Sequence, residues 1–163
     1  VIDSEGDGLA ALQSDPTKKL ATCFHVMGWT YDGKTVETTH SDTEMIRMLY
    51  KWEREGYKIV IHNAMRHDVS LFKRLLGVHL SYPTYVDTLA LSWTLNHTRS
   101  NHGLGGYGED FGVPKPDVEF WEQQEGQTLE EFQEIMRNRV VEDCKINWKL
   151  WKQLDMYLEE LYE

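Results

Sequence analysis

Two acidic residues at the start of the chain have a spacing that suits binding of one cation. Asp3 and Glu5 are two positions apart in the segment Val1 to Glu5, which predicts a short β-strand. Because side chains alternate along a strand, both carboxylates should lie on the same face. Two carboxylates directed at one point repel each other unless a cation or a proton lies between them. The alternative is a solvated surface pair, since Asp-x-Glu is a common sequence.

Two further carboxylates, Asp68 and Asp143, lie at positions where the surrounding sequence pattern makes them candidate ligands. Asp68 follows a compact apolar run, Lys58 to His62, that predicts a buried parallel strand, and ligand sites collect at the ends of such strands. Asp68 is equally a candidate N-cap for a helix from Val69 to Leu76. Asp143 lies on the apolar face of a long predicted helix, where a charge is costly unless it is paired or metal-bound. The alternative for Asp143 is an ion pair with Arg139, one turn earlier.

The remaining hydrophobic pattern predicts strands first and helices later. Asp32-Gly33 is a hairpin signal, so the first three strands should form an antiparallel meander. Capping boxes that begin at Ser41 and Thr128 open two helices, and the second pattern runs to the end of the chain. The predicted strands cover residues 1–5, 20–30, 35–39 and 58–62, and the predicted helices cover residues 41–55, 69–76, 87–95, 104–111 and 128–163.

The composition is that of one globular domain. The chain has 163 residues, of which 40% are hydrophobic and 27% charged, and this length suits a single domain over residues 1–163. The order of elements predicts an α/β (α+β) fold, in which helices flank a mixed sheet of three antiparallel strands and then parallel strands. No run approaches the ~18 apolar residues of a membrane span. Cys23 and Cys144 are too few for a disulfide scaffold or a zinc site. We therefore expect reduced, partly buried thiols, a cytoplasmic location and no membrane partner.

The formal charge of −10 excludes a generic basic nucleic-acid binder. Part of that charge can belong to a metal site, where bound cations reverse the local field. Four carboxylates account for less than half of it. Any contact with nucleic acid would therefore need a local basic patch or a neighbouring domain.

Three segments of the chain occur in an order that is typical of one family. They are Asp3-Ser4-Glu5-Gly6-Asp7-Gly8-Leu9, His62-Asn63 followed by Asp68, and Val141-Glu142-Asp143. Together they resemble the three motifs of the DEDD exonucleases, the DnaQ-like branch of the ribonuclease-H-like superfamily, and the resemblance covers nearly the whole chain. Segments 61–69, 86–92 and 102–104 further resemble the proofreading domains of family A DNA polymerases from short-tailed phages. In the second of these segments, Asp87 is similar to a structural cap and not to a metal ligand.

The resemblance implies a ribonuclease H-like fold and a 3′→5′ exonuclease that hydrolyses the terminal phosphodiester of single-stranded or frayed DNA ends. It implies two divalent ions, Mg²⁺ or Mn²⁺, about 4 Å apart, which activate water and stabilise the leaving 3′ oxygen. Asp3 would bridge both ions, Glu5 and Asp143 would hold the first, and Asp68 would bind the second through water. The implied partners are DNA 3′ ends, in preference to RNA, and a DNA polymerase domain in the same or another chain.

Residues that contact the substrate are also implied by the resemblance. Leu9 would lie as a wedge beside the terminal base, and Asn63 belongs to the second motif. The family usually carries a Tyr four residues before the last Asp, or a His five before it, to orient the attacking water, whereas this chain has Arg139 and Asn138 there. Candidates elsewhere in the chain for that role are His97 and His102. The expected substrate-binding residues are Leu9, Asn63, Arg139 and His102.

Two other functions fit the same residues. One is a stand-alone DEDD nuclease that acts on short RNA or DNA without a polymerase. The other is a catalytically impaired nucleic-acid-binding domain of the same fold. The missing Tyr or His favours the impaired domain, whereas the four grouped carboxylates favour an enzyme, because without metal they would destabilise the fold.

Overall fold

The computed structural model describes residues 1–10 and 19–163 and has the order of elements that the pattern predicts, with one strand added. Within these residues, every helix is too short or too polar to cross a bilayer. The strands are β1 (Ile2–Gly6), β2 (Phe24–Trp29), β3 (Glu37–Thr39), β4 (Ile59–Ile61) and β5 (Tyr85–Asp87). The helices are α1 (Asp42–Arg54), α2 (Asp68–Leu76), α3 (Thr88–Leu95), α4 (Leu104–Phe111) and α5 (Leu129–Tyr162).

The strands form an antiparallel part and a parallel part. The strands β1, β2 and β3 pair as the predicted meander, with Asp3 opposite Gly28 and Glu5 opposite Val26. The strand β4 pairs in parallel with β5, and β4 also contacts β1. The predicted mixed α/β character is therefore confirmed, although the two parts form two hydrogen-bonded sheets and not one continuous ladder. The three-residue strand β5 was not predicted, because so short a run carries no alternating pattern.

The long helix α5 packs on β1 and β2 through a close contact. A β-carbon at Gly28 of β2 would overlap the side chain of Val140 on α5, so glycine at this position permits the approach. Val140, Val26 and Met136 form one buried cluster between helix and sheet. Asp143 lies one turn after Val140, and the same approach brings it over β1.

Side-chain caps mark the beginnings of α1, α3 and α5. Thr128 and Glu131 form the full reciprocal capping box that was predicted for α5. At α1 the predicted box is only half present, because Ser41 Oγ accepts from the Glu44 N–H while the Glu44 carboxylate pairs with Arg47. Asp87 caps α3 by accepting the N–H groups of the first turn, as predicted.

The two cysteines are both free, in agreement with the prediction of reduced thiols. Their burial differs from the expectation that each would be partly buried: Cys144 is buried in α5, and Cys23, just before β2, is exposed. Burial raises the pKa of the Cys144 thiol well above its ordinary value. Cys144 therefore behaves as a small core residue beside Asp143.

Candidate metal centre

Three of the four predicted carboxylates meet at one point. Asp3 and Glu5 come from β1 and Asp143 comes from α5, and each offers an oxygen that lies within 4.8 Å of the other two. Asp3 and Glu5 share one face of their strand, so the prediction from alternation is confirmed. Asp3 and Asp143 are buried, and the Glu5 side chain is 13% exposed. We call these three residues the acidic cluster.

Two oxygens of the acidic cluster lack a hydrogen-bond partner in the part of the chain that the structure describes. Asp3 Oδ2 and Asp143 Oδ1 are buried, and neither has a hydrogen-bond donor among residues 1–10 and 19–163. A buried carboxylate oxygen without a partner is costly, so such atoms are expected to bind a proton or a cation. Hard carboxylate oxygens are the ligands that Mg²⁺ and Mn²⁺ prefer. The donors of the acidic cluster therefore fit a divalent ion of this kind.

Burial and mutual repulsion make the acidic cluster hard to ionise without a cation. Burial raises the pKa of Asp3 well above its ordinary value, and the charges of Asp143 and Glu5 raise it further. Burial and the Asp143 charge raise the pKa of Glu5 to about 8. Burial also raises the pKa of Asp143, against the opposing charge of Lys115. At neutral pH the cluster thus favours bound protons or a bound cation.

The fourth predicted carboxylate, Asp68, lies outside the acidic cluster but is connected to it. Asp68 is the first residue of α2 and accepts a hydrogen bond from Ser4 Oγ. Ser4 lies on β1 between Asp3 and Glu5. The N-cap interpretation of Asp68 is wrong: the cap is His67, whose side chain makes no capping bond. Burial raises the pKa of Asp68 to about 6, and its charge raises the pKa of both Asp3 and Glu5. Asp68 is therefore an electrostatic neighbour of the cluster.

Two basic side chains contact the acidic cluster directly. Arg139 Nε lies 3.3 Å from Asp143 Oδ2 and 3.3 Å from Glu5 Oε1, so the predicted pair with Asp143 is confirmed and a second pair is added. Lys115 Nζ lies 2.7 Å from Asp143 Oδ2. Sequence reasoning missed Lys115, because it belongs to the irregular segment between α4 and α5, where no periodicity relates it to Asp143. The one feature of the local sequence that distinguishes Lys115 is its position between Pro114 and Pro116.

A cleft of about 530 Å³ lies beside Glu5. Leu9, the predicted wedge residue, lines this cleft together with His67, Phe120 and Trp121. Leu9 is held there by backbone bonds, because its N–H donates to the Lys19 carbonyl at 2.8 Å. The structure therefore places an apolar side chain and aromatic rings next to one member of the acidic cluster.

The other two predicted substrate contacts, Asn63 and His102, make hydrogen bonds within the chain. Asn63 follows β4 with φ of 61°, and its backbone N–H donates to the Asp87 carboxylate at 3.0 Å. His102 is buried, and its two ring nitrogens bond to Ser92 Oγ at 2.6 Å and the Arg99 carbonyl at 2.8 Å. His102 therefore offers no free ring nitrogen to a substrate, which corrects the expectation that it binds one.

Comparison with known proteins assigns no function to the chain. No protein-family model and no curated protein matches the chain. The observations that bear on function are the acidic cluster, two of whose buried oxygens have no partner in the described residues, the ion pairs of Lys115 and Arg139 with Asp143 and Glu5, and the adjoining cleft.

Proposed function

We propose that this chain is a divalent-metal-dependent 3′→5′ exonuclease with a ribonuclease H-like fold. The observation that carries the proposal is the convergence of Asp3, Glu5 and Asp143, two of which have a buried oxygen without a partner among residues 1–10 and 19–163. The succession of three strands, a helix and a strand supports it, since the resemblance to DEDD exonucleases includes that order. The substrate is the 3′ end of a DNA strand, single-stranded or frayed, and the natural partner is a DNA polymerase domain.

Different residues of the chain would bind the two metal ions and the terminal nucleotide. Asp3 Oδ2, Asp143 Oδ1 and Glu5 would hold one ion, and Asp3 with Asp68 would contribute to a second. When bound, Mg²⁺ or Mn²⁺ supplies activation of water and neutralisation of charge on the phosphate oxygens. The cleft beside Glu5 suits an unstacked terminal nucleotide, because Leu9 and Trp121 line it and every base has a face that packs on such side chains.

The reaction is hydrolysis of the terminal phosphodiester. A bond forms between a water oxygen and the phosphorus, and the bond between that phosphorus and the 3′ oxygen of the preceding nucleotide breaks. The water loses a proton to solvent, and the departing oxygen takes one from solvent. The products are a deoxynucleoside 5′-monophosphate and a strand that is one nucleotide shorter. Frayed ends are favoured, because unstacking a paired terminal nucleotide costs a few kcal/mol.

The second candidate is a nucleic-acid-binding domain without catalytic activity. The pairs from Lys115 and Arg139 favour it, because two cations already offset charge on Asp143 and Glu5. Because these ion pairs offset part of its negative charge, the acidic cluster depends less on a bound metal ion for the stability of the folded protein. The two candidates differ in one measurable property, which is metal-dependent cleavage.

The test is degradation of a 5′-labelled single-stranded DNA oligomer with Mg²⁺ or Mn²⁺. We expect a ladder that shortens from the 3′ end and disappears with a chelator. The Asp3→Ala/Glu5→Ala double variant should give no ladder. The matched control is Glu159→Ala/Glu160→Ala, which removes two carboxylates from the exposed end of α5 and should keep the ladder.

Three other outcomes are informative. A ladder that appears with an RNA oligomer but not with the DNA oligomer would favour the stand-alone nuclease that degrades RNA. Metal-independent binding of the oligomer without cleavage, by folded protein, would favour the binding domain. Cleavage that survives in the Asp3→Ala/Glu5→Ala variant would remove the acidic cluster from the reaction and contradict the proposal.

A further inference from the structure

We propose that Lys115 is a catalytic residue of this reaction, whose ammonium group contacts the scissile phosphate while it is anchored on Asp143. This inference rests on the proposed function and adds a residue that no motif in the sequence indicates. It follows from where Lys115 binds, how its segment is held and which other charges surround the acidic cluster.

The two carboxylate oxygens of Asp143 have different surroundings. Lys115 Nζ lies 2.7 Å from Oδ2, while Oδ1 is buried without a donor in the described part of the chain. The carboxylate can therefore bind the lysine on one oxygen and a metal ion on the other. An ammonium group has three N–H donors, and Asp143 is the only acidic residue within ion-pair distance of Lys115 among residues 1–10 and 19–163. At least one donor remains for a phosphate oxygen.

The segment that carries Lys115 is tied to both neighbouring helices. Pro114 and Pro116 flank the lysine and fix the backbone φ at both positions. The Pro116 carbonyl accepts from the Arg139 guanidinium of α5, and the Val113 N–H donates to the Gly108 carbonyl of α4 at 2.8 Å. The Lys115 side chain is 22% exposed. It is thus held against the acidic cluster and remains accessible to a ligand from solvent.

The charges around the acidic cluster explain why a lysine would be needed. Three carboxylates and the nearby Asp68 repel a phosphodiester on approach. Arg139 cannot offset this freely, because its guanidinium already bonds to Glu5, Asp143 and the Pro116 carbonyl. Lys115 is the remaining cation at the cluster in the described residues. A fixed positive group is most effective where negative charge increases on the phosphate oxygens during attack.

The test compares Lys115→Met, which keeps the side-chain length without the charge, with Lys115→Arg. The control is Lys145→Met, which removes a lysine that pairs with Glu142 at 2.7 Å outside the cluster. Four quantities are measured for each variant. They are the unfolding temperature, Mn²⁺ affinity without DNA, affinity for a deoxynucleoside 5′-monophosphate in Mn²⁺, and kcat on single-stranded DNA.

We expect kcat of Lys115→Met to fall about 10²-fold, as for loss of one donor to a developing anion. Affinity for the nucleotide monophosphate should fall about tenfold or more, and Mn²⁺ affinity should stay within about threefold of the parent value or increase. Lys115→Arg should recover part of kcat, because it restores the charge. Lys145→Met should match the parent protein in all four quantities.

Several results would overturn the role of Lys115. If Lys115→Met kept the parent kcat and bound Mn²⁺ more tightly, the lysine would be only a counter-charge that metal displaces. If Lys115→Met lost Mn²⁺ binding together with kcat, its role would be to support the metal ligands. These outcomes leave the proposed exonuclease intact. A parent protein that binds Mn²⁺ and nucleotide monophosphate but cleaves neither DNA nor RNA would instead overturn the proposed function and Lys115 with it.

Discussion

Gly28 on β2 lies so close to Val140 on α5 that a β-carbon at position 28 would overlap the valine side chain. Gly28 is also paired in register with Asp3, and Val140 precedes Asp143 by one turn. The separation between β2 and α5 therefore governs the separation between two members of the acidic cluster. A packing contact at a glycine thus determines the geometry of the proposed metal site.

Gly28→Ala should therefore impair both stability and metal binding. We expect a loss of about 1–3 kcal/mol in the free energy of unfolding, as for overpacking of a core, and weaker Mn²⁺ binding. The control is Gly105→Ala in α4, where an added β-carbon meets no atom within 4 Å. That change should stabilise by about 0.5–1 kcal/mol, because alanine favours helix over glycine. Urea unfolding and Mn²⁺ titration measure both effects, and equal stability of the two variants would contradict the packing argument.

The acidic cluster should make the metal-free protein less stable as pH rises, whereas His62 and the Val1 amine, whose pKa values burial lowers, act in the opposite direction below their ordinary values of 6.5 and 8.0. Glu5 has its pKa raised from 4.5 to about 8 in the folded state, so between these values the folded protein binds more protons than the unfolded chain. Stability falls with pH wherever the folded state holds the extra protons. Asp68 contributes in the same direction between 3.8 and about 6.

The measurement is thermal unfolding with a chelator across the interval from pH 4.5 to about 8. Saturating Mn²⁺ should flatten the decline, because a bound cation replaces the protons. Glu5→Gln should also reduce the slope in chelator, since the amide does not titrate. An unfolding temperature that rises over the interval in chelator would show that these carboxylates do not control the pH dependence.

Asp3→Asn should change stability in opposite directions with and without metal. In chelator we expect a higher unfolding temperature, because asparagine is neutral, whereas Asp3 must either take up a proton or carry a buried charge, and its Oδ2 has no donor in the described residues. In Mn²⁺ the parent protein should gain about 2.7 kcal/mol at an ion concentration of about 100 Kd, and the variant should gain little. Glu159→Gln, on the exposed end of α5, should behave as the parent. An equal gain for Asp3→Asn and the parent protein would place the ion elsewhere.

Thr128→Ala should lower stability without affecting metal binding. It removes one of the two bonds of the capping box, the Glu131 N–H to Thr128 Oγ1 at 3.2 Å, together with the bond from Thr128 Oγ1 to the Glu131 carboxylate at 3.0 Å. The expected loss is about 1 kcal/mol. Ser41→Ala should cost less, because the Ser41 bond to the Glu44 N–H is longer, at 3.4 Å. A change in Mn²⁺ affinity of Thr128→Ala would show that the beginning of α5 is coupled to Asp143.

Much of the fold was predictable because it depends on short-range rules. The β2–β3 hairpin, the cap at Asp87 and the capping box at Thr128 follow from turn and cap chemistry within a few residues. The shared face of Asp3 and Glu5 follows from strand geometry alone. The strand β5 was missed, because three residues have too little pattern and depend on pairing with β4.

The sequence by itself determined the order of the elements other than β5, the shared strand face of Asp3 and Glu5, and the one-turn spacing of Arg139 and Asp143, since each depends on local periodicity. Only the tertiary structure decided that Ser4 binds Asp68, that Lys115 joins Asp143 and that His102 is enclosed by Ser92 and the Arg99 carbonyl. The Ser4 contact depends on how β1 packs against the beginning of α2, and the Lys115 contact depends on how the segment before α5 packs against α5. Packing of side chains from distant positions has no period along the chain, so spacing alone does not reveal it.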